Sequence, residues 1–304
     1  MSYSKRYDVV ILGTGPAGLQ AAIHAARKKV SVLVVGKETK SSLYHAHIEN
    51  FCCIFKTTGE EIINVGRQQA AGFGAEFLNE DVLQIQAADH RFEIKMESGG
   101  GIATSALIVA TGSQRARLGV DGEKELLGKG VSYCVDCDGH FYKGQNVAVV
   151  GGESAAADGA LTLTRIAGQV HIVCEKLEVS EDLKARLQDS PVQIHQNAQV
   201  QSIEGDGEVR SLVLKDGRRI EVSGVFIEKG AKGLLELATN LGIMLDDEMK
   251  FIRADKRQAT NIPGIYAAGD VCGPPWQMAK AVGEGCVAGI NAADYARKEG
   301  ANHG

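Results

Sequence analysis

The run Tyr7-Asp8-Val9-Val10-Ile11-Leu12-Gly13-Thr14-Gly15-Pro16-Ala17-Gly18 decides the fold. Its first half is a short apolar segment of the kind a parallel sheet buries on both faces. It feeds without a linker into G-x-G-x-x-G. An Ala-rich helix, Leu19–Ala26, and a second apolar strand, Ser31–Val35, follow. Strand before, helix after and strand again within about thirty residues is the context a dinucleotide fingerprint needs. Gly13 makes the tight turn, Gly15 lets backbone approach a pyrophosphate, and Gly18 lets helix and strand close together. The helix N-terminus, opening at Pro16 and Ala17, supplies amide donors and a partial positive charge. Glu38, just past the second strand, is the acidic candidate for ribose hydroxyls.

Working outward, Leu107–Ser113 reads as another buried strand ending in a tight turn, with a domain boundary near Gln114–Leu118. Asn146–Val150 and Gly151-Gly152 open a second βαβ unit, with a helix over Ser154–Ile166 and a strand over Val170–Val173. Strands near Val192–His195, Gln199–Glu204, Val209–Lys215 and Arg219–Phe226 read as a β-meander closing an inserted domain. The chain returns through Asn261-Ile262-Pro263-Gly264 to Ile265–Asp270, a strand whose closing Gly269-Asp270 can set a carboxylate on a ribityl hydroxyl. A last helix spans Trp276–Arg297. Between the two units lie a helix near Glu60–Gly72 and a loop, Glu49-Asn50-Phe51-Cys52-Cys53. The expected fold class is α/β, two Rossmann-like three-layer nucleotide-binding domains with the second inserted in the first.

At 304 residues the chain has room for two domains, and 44% hydrophobic content is enough for sizeable cores. A net charge of −5, with basic residues scattered rather than striped, argues against nucleic acid as a partner. No apolar run reaches membrane-spanning length, so a cytoplasmic protein with no transmembrane segment is expected. The seven cysteines form no regular framework, which in a reducing compartment leaves most as free thiols.

Cys134-Val135-Asp136-Cys137 is the exception. C-x-x-C lets two thiols close a small disulfide or share a metal. Zinc needs four ligands, and neither a second C-x-x-C nor a spaced His pair is present. The position between two nucleotide-binding patterns favours redox chemistry. Asp138, directly after the second cysteine, can exchange a proton with a departing thiolate. Cys52 and Cys53 keep two readings: small, partly buried loop residues, or a second redox pair. His45 and His47 beside them read as solvated loop residues, and no metal is expected.

Over nearly its whole length the sequence resembles the low-molecular-weight thioredoxin reductases, FAD-dependent two-domain flavoenzymes. The matching blocks are Gly13–Gly18, Glu49-Asn50-Phe51, Ala110-Thr111-Gly112, Cys134–Phe141, Gly264–Val271 and Gln277–Cys286. The resemblance implies FAD in a domain built from residues 1–115 plus 245–304. It places the redox disulfide Cys134–Cys137 in an inserted domain, residues 116–244. It also implies a homodimer, and a domain swing that shows the dithiol alternately to the flavin and to a thioredoxin-like protein. Carried over by position, Cys137 faces the flavin, Cys134 attacks the partner disulfide, and Asp138 is the general acid. Asp270 and Gln277 hold the flavin, with Gly269 and Met278 beside them in the same blocks.

The departures from that pattern are informative. Where the family has G-x-G-x-x-A for NADPH, this chain reads Gly151-Gly152-Glu153-Ser154-Ala155-Ala156. A carboxylate at Glu153 occupies space the pyrophosphate needs and repels it. The family's H-R-R-x-x-x-R run is matched by Cys174-Glu175-Lys176-Leu177-Glu178-Val179-Ser180, which lacks arginine forks for a 2′-phosphate. NADPH is therefore not the expected reductant. On the flavin side, the family's G-G-Q turn is replaced around Lys40-Ser41-Ser42. Trp276, after Pro274-Pro275, stands where the family has Arg, either to stack on an isoalloxazine or to fill core.

The expected function is a flavin-linked disulfide oxidoreductase served by a ferredoxin, or by a second FAD in the degraded nucleotide site. The alternatives are an NADH- or deazaflavin-dependent enzyme, and a non-catalytic flavin redox sensor.

Overall fold

The structure, a computed structural model, describes residues 5–88, 91–112, 117–230 and 240–303. In chain order its elements are β1 (Lys5–Leu12), α1 (Pro16–Arg27), β2 (Val32–Val35), β3 (His47–Ile48), β4 (Thr57–Thr58), α2 (Gly59–Gly72), β5 (Glu76–Leu78), β6 (Val82–Ala88), β7 (Arg91–Met96) and β8 (Gly101–Val109). There follow β9 (Val131–Ser132), α3 (Val135–Asp138), β10 (Asn146–Val150), α4 (Ser154–Leu163), β11 (Gln169–Val173), α5 (Glu181–Gln188), β12 (Gln193–His195), β13 (Val200–Gly205), β14 (Val209–Leu214), β15 (Arg219–Glu221), β16 (Gly224–Ile227), β17 (Ile265–Ala267) and a C-terminal helix (Met278–His303). Two compact units result. One is Met1–Met96, Gly100–Ser113 and Leu237–Gly304; the other is Glu97–Gly99 and Gln114–Glu236.

The first unit is organised on a sheet of order β5-β2-β1-β8-β7-β6, with β17 also paired to β8. β1 runs parallel to both β2 and β8. Its apolar residues Val9 to Leu12 are buried because strands lie on each side, and Val9 and Ile11 pack in one cluster with α1 and the C-terminal helix. α1 packs closely on the C-terminal helix. A methyl group built on Gly285 would fall 2.2 Å from the Ala17 carbonyl oxygen, and one on Gly289 would fall 2.3 Å from that of Ala21. The hairpin β6–β7 is antiparallel and completes the sheet. The alternating apolar residues Leu83 and Ile85, and Phe92, Ile94 and Met96, carry its signal, which the sequence reading did not use.

The second unit is a parallel sheet of order β12-β11-β10-β16-β9 with a separate antiparallel sheet β13-β14-β15. Two expectations are corrected here. Gln193–His195 belongs to the parallel sheet, paired with β11, and not to the meander. The run expected as one strand over Arg219–Phe226 breaks at Val222-Ser223: β15 pairs antiparallel with β14, whereas β16 runs parallel to β10. Gly224 permits that handover, since a side chain there would strike the Tyr142 ring. The last helix begins at Met278, leaving Trp276 and Gln277 before it. Among the described residues no helix is long and apolar enough to cross a membrane.

Candidate functional site

Two constellations carry chemistry, one in each unit. In the first, β1 delivers the chain into Gly13, whose φ of +114° favours glycine. A methyl group there would lie 2.2 Å from the Ala110 carbonyl oxygen, and one on Gly18 would lie 1.9 Å from that of Gly13. At Gly15 such a group would meet only the Ser41 hydroxyl, at 3.3 Å. The turn is thus sealed on its protein side and open at Gly15. Gly15 is the N-cap of α1, no side chain caps that end, and Pro16 stands at its start. The helix presents backbone N–H groups to whatever enters, an arrangement that fits a pyrophosphate.

Glu38 begins a 3-10 turn just past β2, and its carboxylate is ion-paired with Arg67. Asn50 donates a hydrogen bond from its amide to Gln277 at 3.0 Å, joining two expected flavin residues that are 227 positions apart. Ala110 is buried at the end of β8, beside Thr111 and Gly112. Asp270 is half-buried, and burial pushes its carboxyl up from the ordinary range while Lys280 opposes the shift. The sequence reading missed the network behind it. Lys280 donates to the carbonyls of Gly269 and Gly273, both at 2.7 Å, and Glu284 accepts from the Gly269 N–H at 2.8 Å. The i,i+4 spacing of Lys280 and Glu284 on the last helix was the available signal. Met278 opens that helix. Trp276 is 60% exposed, so it is not part of the core of its own unit.

In the second constellation, Cys134 and Cys137 form a disulfide, with a Cα–Cα separation of 5.3 Å. Cys134 is buried and caps the short helix α3, its sulfur accepting the Cys137 N–H at 3.1 Å. Cys137 is half-buried. Asp138 follows, and its carboxylate accepts from the Ser132 hydroxyl at 2.6 Å; the same Ser132 oxygen accepts from the Cys134 N–H at 3.1 Å. A buried Glu228, at the end of β16, accepts from the Val135 N–H at 3.0 Å. Ser132 and Glu228 went unread in the sequence, because only the parallel pairing of β16 with β9 brings position 228 to the turn.

The lead-in to the turn is also fixed. Glu123 accepts from the Tyr133 hydroxyl at 2.5 Å and from the N–H groups of Leu118 and Gly119. Burial pushes Glu123 up, but the Tyr133 and backbone donors more than offset it, leaving its carboxyl below the usual range.

The second glycine turn differs from the first. Glu153 is the N-cap of α4 and no side chain caps that helix. The Ala155 N–H is directed at the Gly230 carbonyl at 3.3 Å. The Gly152 carbonyl accepts from the Glu178 N–H at 2.6 Å, and a methyl group on Gly152 would lie 2.0 Å from the Lys176 carbonyl oxygen. The segment that should grip a 2′-phosphate therefore lies against the turn itself. A cavity of about 690 Å³ remains beside it; among the described residues its charged lining is Asp121, Glu153, Glu175 and Glu178 with Lys176, Lys215 and Lys229, and no arginine.

Comparison with known proteins places these features. The family model described as pyridine nucleotide-disulphide oxidoreductase matches residues 7–300. A thioredoxin reductase from Listeria monocytogenes is 37% identical, over 97% of this chain and 95% of its own length. The atypical thioredoxin reductase TRi from Desulfovibrio vulgaris Hildenborough superposes with a TM-score of 0.85 at 37% identity, covering 96% of this chain and 98% of the other. A ferredoxin-flavin thioredoxin reductase from Clostridium acetobutylicum gives a TM-score of 0.72 at 33% identity, covering 97% and 99%.

Proposed function

We propose that the chain, which belongs to the pyridine nucleotide-disulphide oxidoreductase family and is a thioredoxin-reductase-like flavin disulfide oxidoreductase, works without NADPH and receives its electrons from a ferredoxin-type protein. The observation that carries this reading is the β10–α4 turn. Glu153 stands where a pyrophosphate would approach, Gly152 is packed under Lys176 and Glu178, and the described residues lining the adjoining cavity include no arginine. That set does not fit a dinucleotide phosphate, whether from NADPH, NADH or a second FAD, so a protein donor is the better account. The likeness to the ferredoxin-flavin thioredoxin reductase from Clostridium acetobutylicum supports the same choice.

FAD is expected for this family, and the turn at Gly13, Gly15 and Gly18 fits it. When bound, it supplies a two-electron carrier that exchanges with a disulfide. The amides opening α1, with Pro16 and Ala17, would hold its pyrophosphate, Glu38 the ribose hydroxyls and Asp270 the ribityl chain. Ala110, Thr111, Gly112 and Gly269 form the close backbone around it. Asn50, Gln277, Trp276 and Met278 would hold its ring.

Cys137 is the sulfur that exchanges with the flavin, and Cys134 attacks the disulfide of a thioredoxin-like protein. Cys134 is buried, so that attack requires the turn around it to open. Asp138, steered by the Ser132 hydroxyl, gives a proton to the departing sulfur. Domains of 1–115 plus 245–304 for FAD and 116–244 for the dithiol, a homodimer and a cytoplasmic setting complete the proposal.

The test is anaerobic flavin reduction by NADPH, NADH and a chemically reduced ferredoxin in parallel. Reduction by ferredoxin alone supports the reading, and rapid bleaching by micromolar NADPH overturns it. Bound flavin that never exchanges with Cys134–Cys137 would favour the redox-sensor alternative.

A further inference from the structure

Outside the Cys134–Cys137 turn five cysteines are free among the described residues. Cys174 is buried, Cys272 and Cys286 are half-buried, and Cys52 and Cys53 are exposed. Burial pushes the Cys174 thiol up and the Cys272 thiol up to about 12, so neither is a ready nucleophile near neutral pH. Cys52 and Cys53 stand apart from these. The expectation that they are partly buried is corrected, and their sulfurs lie 3.5 Å from one another.

Adjacent side chains on extended backbone point to opposite faces, so such contact needs a bend. The backbone supplies one: the Ile54 N–H donates to the Phe51 carbonyl at 3.1 Å, closing a turn with the two cysteines at its centre. Cys53, third in that turn, has φ of +70°. Glycine or asparagine ordinarily fills a turn position of that kind, since a Cβ there is sterically disfavoured. Here a cysteine holds it and both sulfurs fall on the same side.

We propose that Cys52 and Cys53 are a second dithiol centre, opened and closed by exchange with small-molecule disulfides. In the closing step one of the two thiols, as its thiolate, attacks a sulfur of the small disulfide, breaking its S–S bond and releasing one thiolate. The neighbouring thiol passes its proton to that leaving group and displaces the second thiol, forming the Cys52–Cys53 bond. The small disulfide gains two electrons and leaves as two thiols; the pair loses two electrons and two protons.

The sulfurs must close by about 1.5 Å to reach bonding distance. Neighbouring Cα atoms are about 3.8 Å apart, closer than the 5.3 Å of Cys134–Cys137 and below the usual disulfide range. The closed form is accordingly strained, exposed and easily reduced, which suits a labile regulatory bond rather than a structural one. It lies next to Asn50, whose contact with Gln277 links two residues assigned to the flavin. The proposal stands whether or not that assignment holds.

The test uses the full flavin-loaded chain, equilibrated anaerobically in glutathione buffers of increasing oxidising strength, acid-quenched, alkylated and cleaved after Lys and Arg. Residues 41–56 then carry Cys52 and Cys53, and residues 130–143 carry Cys134 and Cys137, so each pair is read on its own peptide. The 41–56 peptide is expected to lose both alkylations together and appear as an internal disulfide. Its midpoint should lie at a glutathione quotient at least roughly tenfold more oxidising than that of 130–143. Cys52→Ser should abolish the transition while leaving 130–143 unchanged. Double alkylation throughout, or a single glutathione adduct without closure, would overturn the proposal.

Discussion

Glu153→Gly asks most sharply whether one carboxylate keeps dinucleotides out of the second unit. Glu153 caps α4 with extended backbone (φ −111°) and makes no side-chain cap bond, so glycine fits at little cost to the helix. A pyrophosphate at that helix end would come about 4 Å from the carboxylate. Two unit charges at that distance and an effective dielectric of about 20 repel by about 4 kcal/mol, or roughly three decades of affinity. Glu153 is half-buried, and solvent screening reduces the figure. The Glu178–Gly152 contact also stays in place. The expected gain is therefore about ten- to a hundredfold, read by calorimetric titration of ADP-ribose against the flavin-loaded protein. NADPH should gain no more than NADH, because the described lining offers no arginine to the 2′-phosphate. Unchanged binding in the variant, or micromolar NADPH affinity in the parent, would refute the electrostatic argument.

Three further outcomes follow from the same structure. Gly18→Ala forces a methyl group to 1.9 Å from the Gly13 carbonyl. Overpacking of that kind costs about 1–3 kcal/mol or more, so flavin content in the purified protein should fall sharply and thermal stability with it. Ser132→Ala removes the hydroxyl on Asp138; turnover with a thioredoxin-like substrate should drop about tenfold, the scale of one hydrogen bond to a carboxylate, with flavin content unchanged. His171 is buried with its Nδ1 3.1 Å from His195 Nε2, and Arg218 and Asp216 face His195. Burial, and then His195, hold its pKa below the ordinary value. The unfolded chain takes up this proton near pH 6.5 while the folded chain does not. The associated stability is thus present above about that pH and is lost as pH falls towards the lowered folded value. The urea midpoint should decline from pH 7.5 to 5.5, and His171→Asn should flatten that decline.

The parts of this molecule that could be read without coordinates are those in which local sequence and tertiary role coincide. Val9–Leu12 before Gly13 and Val147–Val150 before Gly151 are apolar runs that only a doubly covered parallel strand explains, and both are such strands. Cys134 and Cys137 lie between two nucleotide-binding patterns, which favours redox chemistry over a shared metal, and they form a disulfide. What stayed hidden depends on register between distant segments. Glu228 reaches Val135 across 93 positions, and Ser132 is noticed only once α3 turns Asp138 back towards it. The misassigned run Arg219–Phe226 shows the same limit. Its residues suit a strand throughout, and only the competing demands of two sheets reveal the break at Val222-Ser223.

The most direct test of coupling between flavin and dithiol is an anaerobic dithionite titration with flavin content counted from denatured protein. Parent protein is predicted to take up about four electrons per flavin, two for the flavin and two for Cys134–Cys137, and a Cys137→Ser variant about two. Uptake of two electrons by both proteins would contradict the account.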